Sequence, residues 1–282
     1  MFSQAIEMRL FSAALSVLIV IGHVSTHLIG QVSDGYLASA SGTKSNLLQL
    51  NRWPFEANDG QFQIHSTVPI AQLDRFLPKL NSLPIELNQA LTISVAKQPI
   101  HVVVLESRDA LEAYVKRLLP NAPSRRALYY RHRGPGLVLT YYSPAWLTDA
   151  RHECTHALLD ASGIRLQQWL DEGLAEYFET ATGNPLEHAT HRVAVQSQLR
   201  YGQIPEIENL EAIDSNSTMS AKDYRDAWSI TAFLLNSSVQ SKKSFQSYLV
   251  DLQNERATGL ISHRLKLPNH TWRDDFDGFF RR

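Results

Sequence analysis

The sequence predicts an α+β protein, with a small mixed sheet in its first half and a mainly helical second half. Three observations carry this. Runs with strand character fall before residue 142, at Gln61–Val68, Ile100–Leu105, Ala127–Arg133 and Leu137–Tyr142. Capped segments with helical apolar spacing take over from residue 143. Between the last two strands, Gly134-Pro135-Gly136 is a hairpin signal, and the second of them leads directly into a helix.

In chain order, Leu10 to Ser33 contains no Asp, Glu, Lys or Arg, and Leu10–Ile21 is almost continuously apolar. Residues 1–30 therefore read as a secretory signal peptide or an uncleaved signal anchor, with residues 10–29 available for membrane anchoring. Ala38-Ser39-Ala40 offers a small-residue cleavage site, and residues 31–50, rich in Ser, Gly and Ala, form a linker. Export to a periplasmic or other extracytoplasmic location is the expectation, either soluble after cleavage or held at the membrane. A mixed subdomain spans residues 51–142. In it, Gln61–Val68 alternates like a strand, Ile70–Leu91 is helical with a break near Pro84, Ile100–Leu105 is a buried strand, and Asp109 caps a helix through Leu119. The helical subdomain, 143–282, opens with Ser143 as N-cap and Pro144 at the first helical position. Its first helix runs to Asp160 with Gly163 as its stop, and a second runs from Leu166 to about Thr182. A third covers Leu186 to Arg200, and Ala227–Leu235 is an apolar helix. Trp272, Phe276, Phe279 and Phe280 make an apolar stripe that docks the C-terminal helix on the core.

A chain of 282 residues is long enough for one large or two small domains. A net charge of −1 removes any general electrostatic argument for binding nucleic acid. Arg125, Arg126, Arg131 and Arg133 cluster around the hairpin and read as a solvated face. Cys154 is the only cysteine, so no disulfide can form within the chain; opposite the histidines of its helix, it reads as a small packing residue.

The chemistry is concentrated in His152-Glu153-Cys154-Thr155-His156 and Trp169-Leu170-Asp171-Glu172-Gly173-Leu174-Ala175-Glu176. Histidines four apart on a helix share a face and can hold one metal ion, and the adjacent glutamate can serve as base toward a metal-activated water. Leu159 and Ser162 occupy the places where a third histidine motif would continue, so the third ligand comes from elsewhere. Glu172, at the start of the next helix, is the best candidate. Glu176 and Glu179 lie one and two turns further on and are placed to hydrogen-bond the outer nitrogens of the ligand histidines, or simply to form a solvated face. Asp171 points elsewhere. His188 and His191 have a spacing that could suggest a metal site, but read as surface histidines.

HECTH followed by WLDEGLAEYFE resembles the gluzincins, specifically the peptidase-MA-like families with HExxH and a WxxEGxAEYxE segment. The resemblance covers mainly residues 137–235. It implies a zincin-like fold, His152, His156 and Glu172 as ligands of one zinc ion, Glu153 as general base, and a peptide or protein substrate. It also implies a downstream tyrosine that stabilises the oxyanion, for which Tyr224 is the candidate, with a core-packing tyrosine as the other reading. In zinc peptidases of this architecture an edge strand before the metal-binding helix pairs with extended substrate, a role expected here of Leu137–Tyr142. An exported zinc metallopeptidase is the first expectation. A non-catalytic envelope module keeping the fold for binding is the alternative. The oligomeric state stays open.

Overall fold

A computed structural model of the chain describes residues 53–281, except residues 96, 132–133, 181–183, 216, 257–258 and 266–271. The expected signal segment, linker and cleavage site, and Arg133, lie outside the described residues.

The structure is mixed α+β around a five-stranded mixed sheet. Strands β1 (Phe55–Asp59), β2 (Phe62–Ser66), β3 (Ile100–Leu105), β4 (Ala127–Tyr130) and β5 (Gly136–Tyr141) lie side by side in the order β1-β2-β3-β5-β4. β2, β3 and β5 are parallel neighbours, and β1 and β4 close the two sides antiparallel. β1 was not foreseen. Its two-residue turn into β2 is Gly60-Gln61, in which Gly60 takes φ 61°, a conformation that suits glycine.

β5 corrects an expectation. It is hydrogen-bonded to β3 on one side and to β4 on the other, so Leu137–Tyr142 is not an edge. The hairpin folds β4 back onto the outer side of β5 and makes β4 the free edge. A turn signal identifies the two arms of a hairpin without saying which one faces out.

Alternation along the strands divides the core in two. Ile100, Val102 and Val104 face the larger cluster with Phe62, Ile64 and Val138, and this cluster continues through the helices to Trp272 and Phe280. Val103 and Leu105 face a smaller cluster with Leu128, Leu137 and Leu139. That second face is covered by helix α3 (Arg108–Leu118), whose cap is Ser107 rather than Asp109, since the Ser107 hydroxyl accepts from the Ala110 N–H. β3 is buried on both faces, which is why its sequence is an unbroken apolar run.

Two short helices, α1 (Leu77–Asn81) and α2 (Leu83–Leu91), cross from β2 to β3 and separate at Ser82, two residues before the expected break. After β5, Ser143 holds a turn through its bond from the Ala145 N–H, and helix α4 starts at Trp146, later than expected, and ends at Ala161. Gly163, at φ 75°, follows its end. α5 (Gln168–Phe178) is shorter than the sequence suggests, because Glu179 already closes it. α6 (Ala189–Arg200), α7 (Ile207–Glu211), α8 (Ala221–Asn236), α9 (Val239–Gln253), α10 (Ile261–Arg264) and α11 (Trp272–Phe280) complete the chain. α8 opens with a capping box between Ser220 and Asp223, and Phe233 in α8 meets Trp272, Phe276 and Phe279 of α11 ring to ring. Among the described residues no helix is long and apolar enough to cross a membrane.

Candidate metal centre

α4 is held rigidly before it presents any chemistry. Arg151, 2 % exposed, donates to the Phe178 carbonyl at 2.9 Å and the Lys79 carbonyl at 2.5 Å, and pairs with Glu86 at 2.6 Å. One guanidinium thus ties α4 to α1, α2 and the end of α5. Cys154, on the opposite side of α4 from the histidines, is fully buried among apolar neighbours, and burial pushes its thiol pKa up.

α5 packs on α4 and on α8. At the contact with α8, a Cβ on Gly173 would lie 2.7 Å from the Ala227 carbonyl oxygen and 2.6 Å from Thr231 Oγ1. Only glycine lets the backbones approach this closely, and that approach brings Glu172 against the histidines of α4.

His152 Nε2 and His156 Nε2 are 3.2 Å apart, and each is 3.5 Å from Glu172 Oε2. A tetrahedral zinc ion with bonds of about 2.0–2.1 Å holds neighbouring ligand atoms about 3.3–3.4 Å apart, so this triangle has the size such an ion requires. The two imidazole planes meet at 70°, which lets their nitrogens converge on one point. Glu172 Oε2 is buried and accepts no hydrogen bond. The outer nitrogens are occupied: His152 Nδ1 donates to Glu179 Oε2 at 2.8 Å, and His156 Nδ1 donates to Asp171 Oδ2 at 2.9 Å. With Nδ1–H committed, each neutral ring has its lone pair on Nε2, and two lone pairs 3.2 Å apart call for a cation between them. These residues fit a metal ion.

The surrounding carboxylates make the same demand for positive charge, which a proton on each ring meets when no metal is bound. Burial disfavours a charged His156, but Asp171 and Glu172 outweigh it and hold its pKa at about 10. Burial is likewise overcome at His152, by Glu172 and Glu179, which raise its pKa well above the ordinary range. At Glu172 burial opposes ionisation, and His156 and His152 keep its pKa below the usual carboxylate value.

Glu153 is 3 % exposed, and its Oε2 accepts from the Tyr129 N–H of edge strand β4 at 2.7 Å. The candidate base therefore stands between α4 and the free side of the sheet. Because Tyr129 N–H points to Glu153 and not to β5, the outward-facing peptide groups of β4 are those of Tyr129 and Ala127. Tyr224, 4 % exposed, lies in the first turn of α8 and borders Arg125.

Four expectations need correction. Asp171 does not point elsewhere: it is the partner of His156. Asp171 and Glu172 both reach α4 because α5 runs across it, so adjacent residues address different heights. The hydrogen bonds of Glu176 run to a second pair of histidines, and its carboxylate also lies within 4.8 Å of a ring nitrogen of His152. It accepts from His191 Nε2 at 3.0 Å and lies 3.3 Å from His188 Nε2, which donates to Glu179 Oε1 at 3.0 Å. His188 and His191 are thus not surface histidines; their side chains are 14 % and 15 % exposed, and they stack on each other at 3.9 Å and against Trp228 at 5.6 Å. The stacked rings lie only 8° from parallel, with both Nε2 atoms against Glu176 Oε2, and the three residues offer ligand atoms within 4.8 Å of one another. His188 Nδ1 also accepts from the His191 N–H, which leaves its Nε2 carrying the proton. Glu176, His188 and His191 therefore form a hydrogen-bonded support behind Glu179. No local pattern announces it, since α6 folds back on α5 only after residues 181–183. Finally, the basic cluster is a solvated face only in part, with Arg131 exposed. Arg126 pairs with Asp149 at 3.0 Å, Arg131 pairs with Asp160 at 2.8 Å, and Arg125 is half-buried.

No protein-family model and no curated protein sequence matches this chain.

Proposed function

We propose that the protein is an exported zinc-dependent metallopeptidase of the gluzincin type, hydrolysing peptide bonds in a peptide or protein substrate. The observation that carries this is the convergence of His152 Nε2, His156 Nε2 and Glu172 Oε2 on one buried point, each histidine being oriented by its own carboxylate. Two histidines and one carboxylate suit zinc and leave an open position. The strand order, with an antiparallel free edge beside the metal-binding helix, supports a zincin-like fold.

Bound zinc would supply Lewis acidity and lower the pKa of a coordinated water. Glu153 accepts the proton of the attacking water and returns it to the leaving amine. Its bond from the Tyr129 N–H keeps the carboxylate at the sheet edge, where a peptide laid along β4 would run. This gives β4 the substrate-pairing role that the sequence reading assigned to the next strand. Tyr224 donates to the oxyanion that develops on the carbonyl.

Glu153→Gln tests the mechanism. The variant is expected to bind zinc as the wild type does and to lose at least about 100-fold in peptide hydrolysis. Hydrolysis at the wild-type rate would refute the role of Glu153 and favour the non-catalytic alternative.

A further inference from the structure

Arg125 stands two residues before β4. Its neighbours in sequence are paired: Arg126 with Asp149, and Arg131 with Asp160. Arg125 differs. Its Nε is shielded from solvent and has no hydrogen-bond partner, and among the described residues its guanidinium forms no ion pair. Burial disfavours its charge, and the groups that offset this are Glu153 first, then Tyr224 and Glu172. Those are the proposed base, oxyanion donor and third ligand. Glu153 Oε2 is taken by the Tyr129 N–H, and Glu172 Oε2 faces the two histidines.

An arginine stays charged under any ordinary condition and offers a planar fork of donors matched to a carboxylate. A shielded donor with no partner is unfavourable in the free protein, and a ligand that supplies the missing acceptor removes that penalty. Arg125 directly precedes the strand whose Tyr129 N–H holds the proposed base, so a peptide aligned along β4 would pass close to it. We propose that Arg125 binds a carboxylate of the substrate next to the scissile bond, so that the enzyme selects peptides carrying an anionic group at that position. The inference rests on the peptidase reading. The carboxylate has two sources, a free C-terminus and an acidic side chain.

The test offers zinc-loaded full-length protein short random-sequence peptides in matched C-terminal acid and amide forms. Each form is made with and without replacement of Asp and Glu by Asn and Gln. The expected result is a preference of about tenfold or more in kcat/KM for one carboxylate-bearing set. Preference for the acid forms identifies the C-terminus; preference for the Asp/Glu-containing amides identifies a side chain. Arg125→Gln is expected to abolish the preference by raising KM while kcat stays within about threefold, and Arg125→Lys to restore part of it. A wild type that cleaves all sets equally, or a preference that survives Arg125→Gln, would overturn the assignment and leave the peptidase reading standing. No cleavage of any set by the wild type would overturn both.

Discussion

A histidine that offers a lone pair to a cation needs its other nitrogen occupied, and here two carboxylates do that for two rings. Asp171 holds His156 and Glu179 holds His152. Asp171→Asn is expected to weaken zinc binding by about 10–100-fold, without altering helix content, in competition against a chromophoric chelator. His188→Ala acts one step further out, through Glu179, and is expected to weaken binding by less. An unchanged affinity in both variants would mean that the rings are positioned by packing alone. The proposed ligand and base positions were legible because they lie within one turn of one helix and at the start of the next. Asp171, His188, His191 and Arg125 were not. Their partners depend on how α5 crosses α4, how α6 returns onto α5, and where β4 begins relative to Glu153, and none of these relations repeats at a fixed spacing.

Among the elements, the crossing of α5 and α8 positions the site, and the glycine after Glu172 is its requirement. Gly173→Ala places a methyl against the α8 backbone. It is expected to cost about 1–3 kcal/mol in chemical denaturation and to lower zinc affinity, because α5 must retreat from α8 and move Glu172 with it. Stability equal to wild type would show that the helices can separate freely. On the far face of the sheet, Glu56 of β1, His65 of β2 and His101 of β3 form a ladder, with His65 Nδ1 donating to Glu56 at 3.0 Å and His65 Nε2 lying 2.9 Å from His101 Nδ1. Burial first, and then the neighbouring His65, hold the His101 pKa below the ordinary histidine value. The unfolded chain therefore takes up this proton more readily than the folded one. The associated stability is full above about pH 6.5 and is lost as pH falls through the lowered value. Melting temperature is expected to drop between about pH 7 and pH 5, and His101→Gln to reduce the drop. The same slope in the variant would place the acid sensitivity elsewhere. The ladder was invisible in the sequence because strand pairing, and with it the neighbours of His65, is set by register across the sheet.

At the scale of the whole molecule, the division into a sheet-bearing first half and a helical second half was legible from apolar periodicity and from the hairpin signal. The larger core nevertheless runs from Phe62 and Ile64 in the sheet to Phe276 and Phe280 at the C-terminus, so the two halves pack as neighbours around one interior. That continuity explains how a sheet edge, a helix leaving it and a third element some fifteen residues later meet at one point. The five carboxylates of Glu153, Asp171, Glu172, Glu176 and Glu179 are buried there beside four histidines, an accumulation of charge that a divalent cation stabilises. Zinc content of the full-length protein, beside Glu172→Ala, tests this most directly. The account predicts about one zinc ion per wild-type chain, largely lost in the variant although the fold persists. A wild type that binds no zinc after reconstitution would contradict it.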